Sequence, residues 1–510
     1  MPYIYRYALI VSIGGFLFGF DSALISGLVP SITQAFNLNQ LQLGFVISAP
    51  ALGAALALCF VGKIATYRGR KGALVLVSRL YCLALMMALL SPNYTLLVLA
   101  RLLCGVAFCS LSLSSMYLGE VSPSAIRGKL VSINQLSLVV GLCLAYIVNF
   151  ALINTLSHYL LAQHLWRGML ALELIPALSW FILLRKIPES PRWLLSQGLE
   201  NQAKLSLRQV LPNTEFLNTW SSLKSNKETS PTSAIKALGN LFSWKMRRLF
   251  IIGFFLAFMQ AATGMNAILV YAPSVFSQLG FTENAALLQS AYIGITTLIF
   301  TLFSLYLVDR VGRRPLLLWG LAFAVLSHLT SWYAISTAPQ RLSHEFLESL
   351  EQLFDLSLPL VVDSVYSSKS ALEIALAEYL SGPQLALISQ QQWHLAQELN
   401  ANLVLAGLLG FIAAYSLSLG PIMWIVFSEV FPSSIRSIAT PFFALLASLG
   451  SYLSQLLLPW QLAELGAANT FFIYAANGFV ALIFIAIVLP ETKNQGLEDI
   501  SRLLVANGDA

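Results

Sequence analysis

The chain has 510 residues, 57% of them hydrophobic and only 10% charged. That balance, with a mean hydropathy of +0.75, excludes an ordinary soluble domain and calls for a protein embedded in a membrane. A net charge of +6 would suit a nucleic-acid partner if it were gathered in one stretch. It is dispersed among short loops, so no nucleic acid is expected.

Apolar runs of roughly 18 to 25 residues read as spanning helices, and the chain holds about twelve. Their cores fall at 5–29, 43–65, 73–92, 95–119, 130–153, 168–186, 248–275, 285–308, 315–337, 402–428, 438–461 and 468–489, here segments 1 to 12. Six precede a polar stretch and six follow it. The expected division is a six-helix half at 1–186, a linker with short helices at 187–247, a second half at 248–489 and a tail at 490–510. The expected fold class is all-α and membrane-integral, with twelve helices in two six-helix halves.

Segment 1 carries GGFLFGFDSALISG from Gly14 to Gly27. Its glycines permit close packing or a local break, and a carboxylate at mid-depth, Asp21, must face a partner or a watery cavity. A lone Arg6 in front and no small-residue cleavage site behind predict a retained helix rather than a cleaved signal. The loop after segment 2, GKIATYRGRKG, suits a tight turn whose cations meet helix ends and nearby carboxylates. Segment 4 contains Arg101, the charge opposite to Asp21, and segment 6 adds Glu173 as a third member. A pair of this kind is either part of a proton-driven process or a structural ion pair. Segment 5 offers Asn134 and Gln135, which are packing glue or ligand contacts.

The middle stretch shows no phosphate-binding loop, nucleophile elbow or zinc spacing, so neither an enzyme nor a cofactor is expected. The five cysteines, Cys59, Cys82, Cys104, Cys109 and Cys143, lack metal-ligand spacing and imply no metal and no disulfide framework. Segment 7 holds QAATGMNAILVY, in which Gln260 and Asn266 can both donate to and accept from hydroxyl groups. Interrupted polar patches at matching places in two halves mark a midplane binding site, unless these amides only join helices. Between segments 9 and 10 an extra stretch at 338–401 has eight acids (Glu345, Glu348, Glu351, Asp355, Asp363, Glu373, Glu378, Glu398) against Arg341 and Lys369. Phe346, Leu347, Leu350 and Phe354, then Leu372, Leu376 and Leu380, recur at helical spacing and predict two or three amphipathic helices on the outer face. Segment 10 contains GPIMW, where Gly420-Pro421 permits a bend and Trp424 suits an apolar ring face or plain packing.

The cations have a side. Arg68, Arg70, Lys71, Arg127, Lys129, Arg310, Arg313 and Arg314 follow even-numbered segments, as does the basic linker. This bias predicts that both termini are cytoplasmic.

Three motifs occur twice in the same order. RGRKG at Arg68–Gly72 matches VGRRP at Val311–Pro315, EVSPSAIRG at Glu120–Gly128 matches EVFPSSIRS at Glu429–Ser437, and IPESPR at Ile187–Arg192 matches LPETKN at Leu489–Asn494. Two copies of one unit follow. The later pairs lie farther apart than the first, so the second half has gained a segment between Pro315 and Gly420.

Together with GFD at Asp21, the Gln260…Asn266 stretch and GPIMWIVFSEVFP at Gly420–Pro432, these motifs resemble the sugar porter branch of the major facilitator superfamily across all but the extra stretch. The resemblance implies alternating access in a bacterial inner membrane. It implies that Asp21 couples to protons near Arg101, and that sugar hydroxyls meet Gln135, Gln260, Asn266 and Trp424 with Phe18 near the ring. It further implies that Glu120, Arg127, Glu189, Arg192, Asp309, Arg313, Glu429 and Arg436 make charge contacts between helix ends that close the inside-facing gate. The chain departs from the family at Ala261, Val270, Thr297 and Ala447–Ser448, each replacing a polar or aromatic sugar contact, and at Thr66, replacing a loop acid. The reading is a proton symporter for a monosaccharide or related polyol, acting as a monomer in the bilayer. Facilitative uniport stays open, and the short tails argue against a non-transporting sugar sensor.

Overall fold

The computed structural model describes residues 2–122, 126–156, 162–210, 216, 220–221, 242–243, 246–279, 281–355, 361–366, 369–388, 390–431 and 433–493. Much of the expected linker and most of the expected tail lie outside the described residues.

Among the described residues, eleven stretches are long and apolar enough to cross a membrane, and the last, Ala439–Val488, is two spans joined end to end. A helix ending at Trp460 passes through one π turn, Gln461–Leu465, into a helix starting at Gly466, whose φ of +77° redirects the chain. Twelve spans result.

The first half comprises α1 (Pro2–Phe36), α2 (Gln40–Arg68), α3 (Arg70–Leu89), α4 (Tyr94–Phe108) continued by α5 (Ser110–Val121), α6 (Arg127–Leu156) and α7 (Ala162–Leu184). Short helices α8 (Pro191–Ser196) and α9 (Glu200–Val210) follow. The second half begins with an interrupted span, α10 (Arg247–Ala262), α11 (Met265–Val270) and α12 (Ala272–Gln278), then α13 (Glu283–Val311) and α14 (Arg313–Ser336). The extra stretch forms a two-residue ladder, β1 (Gln340–Arg341) with β2 (Val365–Tyr366), and helices α15 (His344–Phe354), α16 (Lys369–Leu376), α17 (Gly382–Leu387) and α18 (Gln390–Ala396). The half closes with α19 (Ala401–Leu417), α20 (Leu419–Val430), α21 (Ser433–Trp460) and α22 (Gly466–Val488).

The bundle has two chemically distinct ends. On the face of the extra stretch, spans start under polar side-chain caps: Asn39, Asn93, Thr282 and Asn400 each accept a backbone N–H of the following helix. On the other, basic face, the turns at Gly69 and Gly312 have φ of +82° and +111°, and a Cβ there would strike the carboxylates of Glu189 and Glu491. Glycine is required at both places.

The glycines of α1 serve packing and not a break. The helix is continuous, and Cβ atoms at Gly15 and Gly19 would run into Asn134 and the Leu138 carbonyl of α6. The break lies in the second half, at Gly264, whose φ of +85° ends α10 and whose missing Cβ makes room for the Tyr474 ring. The tenth span also breaks, at Ser418. Pro421 has no N–H to offer the Leu417 carbonyl, so the helix cannot pass through unmodified.

The extra stretch has its own core of Phe346, Leu350, Leu372, Leu376 and Trp393, so the apolar spacing read as amphipathic helices is packed inward. Four short helices form rather than two or three. Both its cations are paired, Arg341 with Asp363 at 3.3 Å and Lys369 with Glu373 at 3.7 Å. The Gln340–Gln397 bridge closes the stretch on itself, and α18 packs it against the π turn of the second half.

The halves meet along α2 with α21 and α6 with α13, and α1 also packs on α11 and α12. The named contacts, Phe45 with Tyr452 and the Tyr146 hydroxyl donating to the Leu269 carbonyl, lie toward the face of the extra stretch. Among the described residues, no comparable packing joins α5 to α20 or α21 on the basic face.

Candidate functional site

The two buried opposite charges of the first half form one unit. Arg101 Nη1 donates to Asp21 Oδ1 at 2.5 Å and Nη2 to Oδ2 at 3.1 Å, with each residue 1% exposed. This two-pronged geometry is the strongest form of a guanidinium–carboxylate contact, and it is enclosed by α1 and α4. Glu173 of α7 is also buried, but it does not bond to Arg101 directly. The Tyr81 hydroxyl of α3 donates to its Oε1, while Oε2 accepts nothing among the described residues. The Cys104 thiol lies beside Arg101, and Arg101 Nε has no acceptor. A guanidinium, two carboxylates and a phenol thus share one buried compartment with spare hydrogen-bonding capacity. Such a set can hold a proton or release it, because breaking the pair with both charges kept would be costly in so low a dielectric.

The amides of segment 5 divide into two roles. Asn134 is buried and donates to the Leu111 carbonyl at 3.1 Å, so it joins α5 to α6. Gln135 is half-buried and bonds to no described residue. Phe18 lies tilted against Phe108, ring centres 4.1 Å apart.

Across the midplane, the break at Gly264 places Gln260 and Asn266 on either side of it. The carbonyls freed there are taken by other spans: Asn477 donates to the Ala262 carbonyl at 2.9 Å, and His328 Nε2 lies 3.2 Å from the Thr263 carbonyl. Gln260 lies beside the Tyr415 hydroxyl, and its Oε1 accepts no hydrogen bond among the described residues. Asn266 donates to Ser451 of α21. Trp424 is 41% exposed, its ring edge-on to Phe427.

The departures also have a structural reading. Ala261 is buried against Gly450, where even one added Cβ would come within 2.8 Å of it. Val270 and Ala447 are buried and apolar. Thr297 and Ser448 donate to carbonyls of their own helices, Ile293 at 2.8 Å and Ala444 at 3.0 Å.

On the basic face each half carries the same cluster. Arg70 donates to Glu120 at 2.7 Å, the Ser190 hydroxyl donates to the same carboxylate, and Glu189 accepts the N–H groups of Arg70 and Lys71 at 2.9 and 3.0 Å. In the second half Arg313 donates to Glu429 at 2.8 Å, Thr492 donates to the same carboxylate at 2.6 Å, and Glu491 accepts the N–H groups of Arg313 and Arg314 at 3.0 and 3.1 Å. Glu189 and Glu491 each cap the start of a helix with an anion, where the helix dipole favours it.

These clusters join elements of one half to each other, not one half to its partner. Asp309, near the end of α13, pairs at 3.1 Å with Arg313 at the start of α14, across the Gly312 turn. Arg192 is exposed with no ion partner among the described residues. The side chains of Arg127 and Arg436, and part of the loop after each repeated Glu, lie outside the described residues.

Comparison with known proteins decides the family. The family described as Sugar (and other) transporter matches residues 7–341 and 376–504. The chain belongs to this sugar transporter family. The gap left by the family match, 342–375, falls inside the extra stretch. The arabinose-proton symporter of Bacillus subtilis is 28% identical over 513 residues, covering 99% of this chain and 96% of the relative. The D-xylose-proton symporter of Escherichia coli is 29% identical over 534 residues, covering 98% and 96%. An inward-open structure of the Escherichia coli xylose transporter superposes with a TM-score of 0.74 at 25% identity, covering 98% of this chain and 99% of that one. The fold is thus the major facilitator fold, and the chain is a membrane transporter and not an enzyme.

Sequence reasoning named Arg70 only as a turn cation that meets carboxylates, and missed Glu491, Ser190 and Thr492 in the clusters. The repeat contained the signal, since Arg70 matches Arg313 and Glu491 matches Glu189. Tyr81, His328 and Asn477 left no such trace. Each is a polar residue in an apolar run whose partner lies on another span.

Proposed function

We propose that this transporter moves a monosaccharide or related polyol together with protons by alternating access. The observation that carries the reading is the Asp21–Arg101 pair, buried in α1 and α4, in a fold whose other half offers Gln260 and Asn266 around a broken helix. A neutral Asp21 gives up Arg101 at far lower cost than an ionised one. Protonation, separation of the pair and movement of the halves are then one linked event. Solute binds between the halves, with Gln135, Gln260 and Asn266 meeting hydroxyls and Trp424 and Phe18 flanking the ring.

The basic face is the cytoplasmic one, with both termini on that side, in a bacterial inner membrane, and the chain acts as a monomer. On that assignment the packing of α1 with α11 and α12 closes the outside, and the conformation is inward-open. Glu173 and Tyr81 complete the proton site. Because Ala261, Val270 and Ala447 are buried and apolar, the second half engages fewer hydroxyls than a polar pocket would, and the preferred solute presents one weakly hydrogen-bonding face there.

The test uses the purified chain in sealed liposomes containing a pH-sensitive dye, challenged in turn with pentoses, hexoses and cyclic polyols. Symport predicts that one of these solutes acidifies the lumen as it enters. Solute equilibration without proton movement would establish uniport instead.

A further inference from the structure

Arg79 stands where an arginine is out of place. It lies nine residues into α3 from Arg70, about 13 Å along the axis at 1.5 Å per residue, roughly halfway across a hydrocarbon core of about 30 Å. Its neighbours on the same helical stripe, Leu83, Met86 and Leu90, are exposed on the outside of the bundle, as is Arg79 itself. Ile175, Leu178 and Ile182 form the matching outer stripe of α7. This is therefore a lipid-facing arginine, unlike Arg101, which is enclosed and paired.

Two features of the chain direct its charge. Side chains on a helix lean toward its N-terminus, and α3 starts on the basic face, so Arg79 reaches toward that face. There its guanidinium carbon lies 5.6 Å from the centre of the Phe181 ring. Arg185, just past the end of α7, folds back over the same ring at 4.3 Å. Two cations thus converge on one aromatic ring. Neither forms a hydrogen bond or ion pair with any described residue, and Lys186 beside them is exposed as well.

Ring attraction of about 0.5–2 kcal/mol per cation does not neutralise the like charges in a low dielectric. An anion between them does, and the planar forks of two arginines suit phosphate oxygens. We propose that Arg79, Arg185 and Phe181 form a site for the phosphate of an anionic membrane phospholipid. Its acyl chains would lie along the apolar stripes of α3 and α7. A membrane lipid fits better than free phosphate because the site is flanked by those apolar stripes, which acyl chains would cover and a free phosphate would not.

The test is native mass spectrometry of the full chain, stripped of lipid in detergent and titrated with phosphatidylglycerol, phosphatidylcholine or glycerol 3-phosphate. The wild type should retain one phosphatidylglycerol with saturable affinity at least tenfold above phosphatidylcholine. R79Q and R185Q should each remove that preference, R185K should keep part of it, and K63Q, a control cation on α2, should leave it intact. R185Q lies beyond the helix end and carries the test alone if R79Q does not fold. Equal retention of phosphatidylcholine, equal effect of glycerol 3-phosphate, or undiminished preference in R185Q would each overturn the proposal.

Discussion

Replacing Asp21 by Asn tests the proton site most directly. Asp21 is the acid bonded to Arg101, at 2.5 and 3.1 Å, whereas Glu173 is occupied by Tyr81. The variant therefore removes the proposed coupling carboxylate and leaves the Tyr81–Glu173 contact in place. One proton crossing 100 mV releases about 2.3 kcal/mol, which supports roughly fifty-fold accumulation of solute at about 1.4 kcal/mol per tenfold. D21N should lower the accumulation ratio in energised vesicles to about 1, while solute exchange across unenergised vesicles stays within about tenfold of wild type. Stability must be separated from coupling, because an unpaired buried guanidinium costs on the order of 3–5 kcal/mol. D21N/R101Q removes both charges and should melt closer to wild type than D21N alone, while remaining uncoupled. Accumulation that persists in D21N, measured with the proton gradient intact, would refute the assignment.

Three further outcomes follow from specific contacts. Glu189→Gln and Glu491→Gln each weaken one anionic helix cap, worth up to about 1 kcal/mol; their effects on thermal unfolding should be similar and additive, since the clusters belong to different halves, and strong non-additivity would show that the clusters communicate. Ala261→Gln, which restores the amide common in the family, should destabilise by about 1–3 kcal/mol through overpacking against Gly450, with no gain in xylose binding by calorimetry. His328→Ala leaves the Thr263 carbonyl at the break without its donor and should cost about 1–3 kcal/mol, raising KM more than it lowers the maximal rate; His328→Gln should recover part of the loss, and an unchanged KM would mean that the break does not position Gln260 and Asn266.

Much of the frame was legible. The apolar runs gave the spans to within a few residues, because a helix in lipid must satisfy its backbone internally, and length and composition then nearly suffice. The junction near Trp460 shows the limit, for there two spans run together with no polar interval and only Gly466 marks the turn. Gly264 was readable as an interruption, yet the glycines of α1 carried the same signal and proved to be packing surfaces. Composition cannot separate the two uses, since the difference lies in what stands opposite: Tyr474 and free carbonyls in one case, the backbone of α6 in the other.

For this protein the sequence by itself determined the membrane environment, the duplication, the identity of the buried charges and the presence of an addition to the second half. Each follows from local composition or from repetition, which survive without coordinates. Only the tertiary structure decided which groups meet. It assigned Glu173 to Tyr81 instead of Arg101, split Asn134 from Gln135, closed position 261 against Gly450, and confined each charge cluster on the basic face to its own half. It also brought Arg79 and Arg185 to one ring. The physical reason is that lipid-buried polar groups must find partners across helices, and the partner's position depends on packing between spans far apart in the chain.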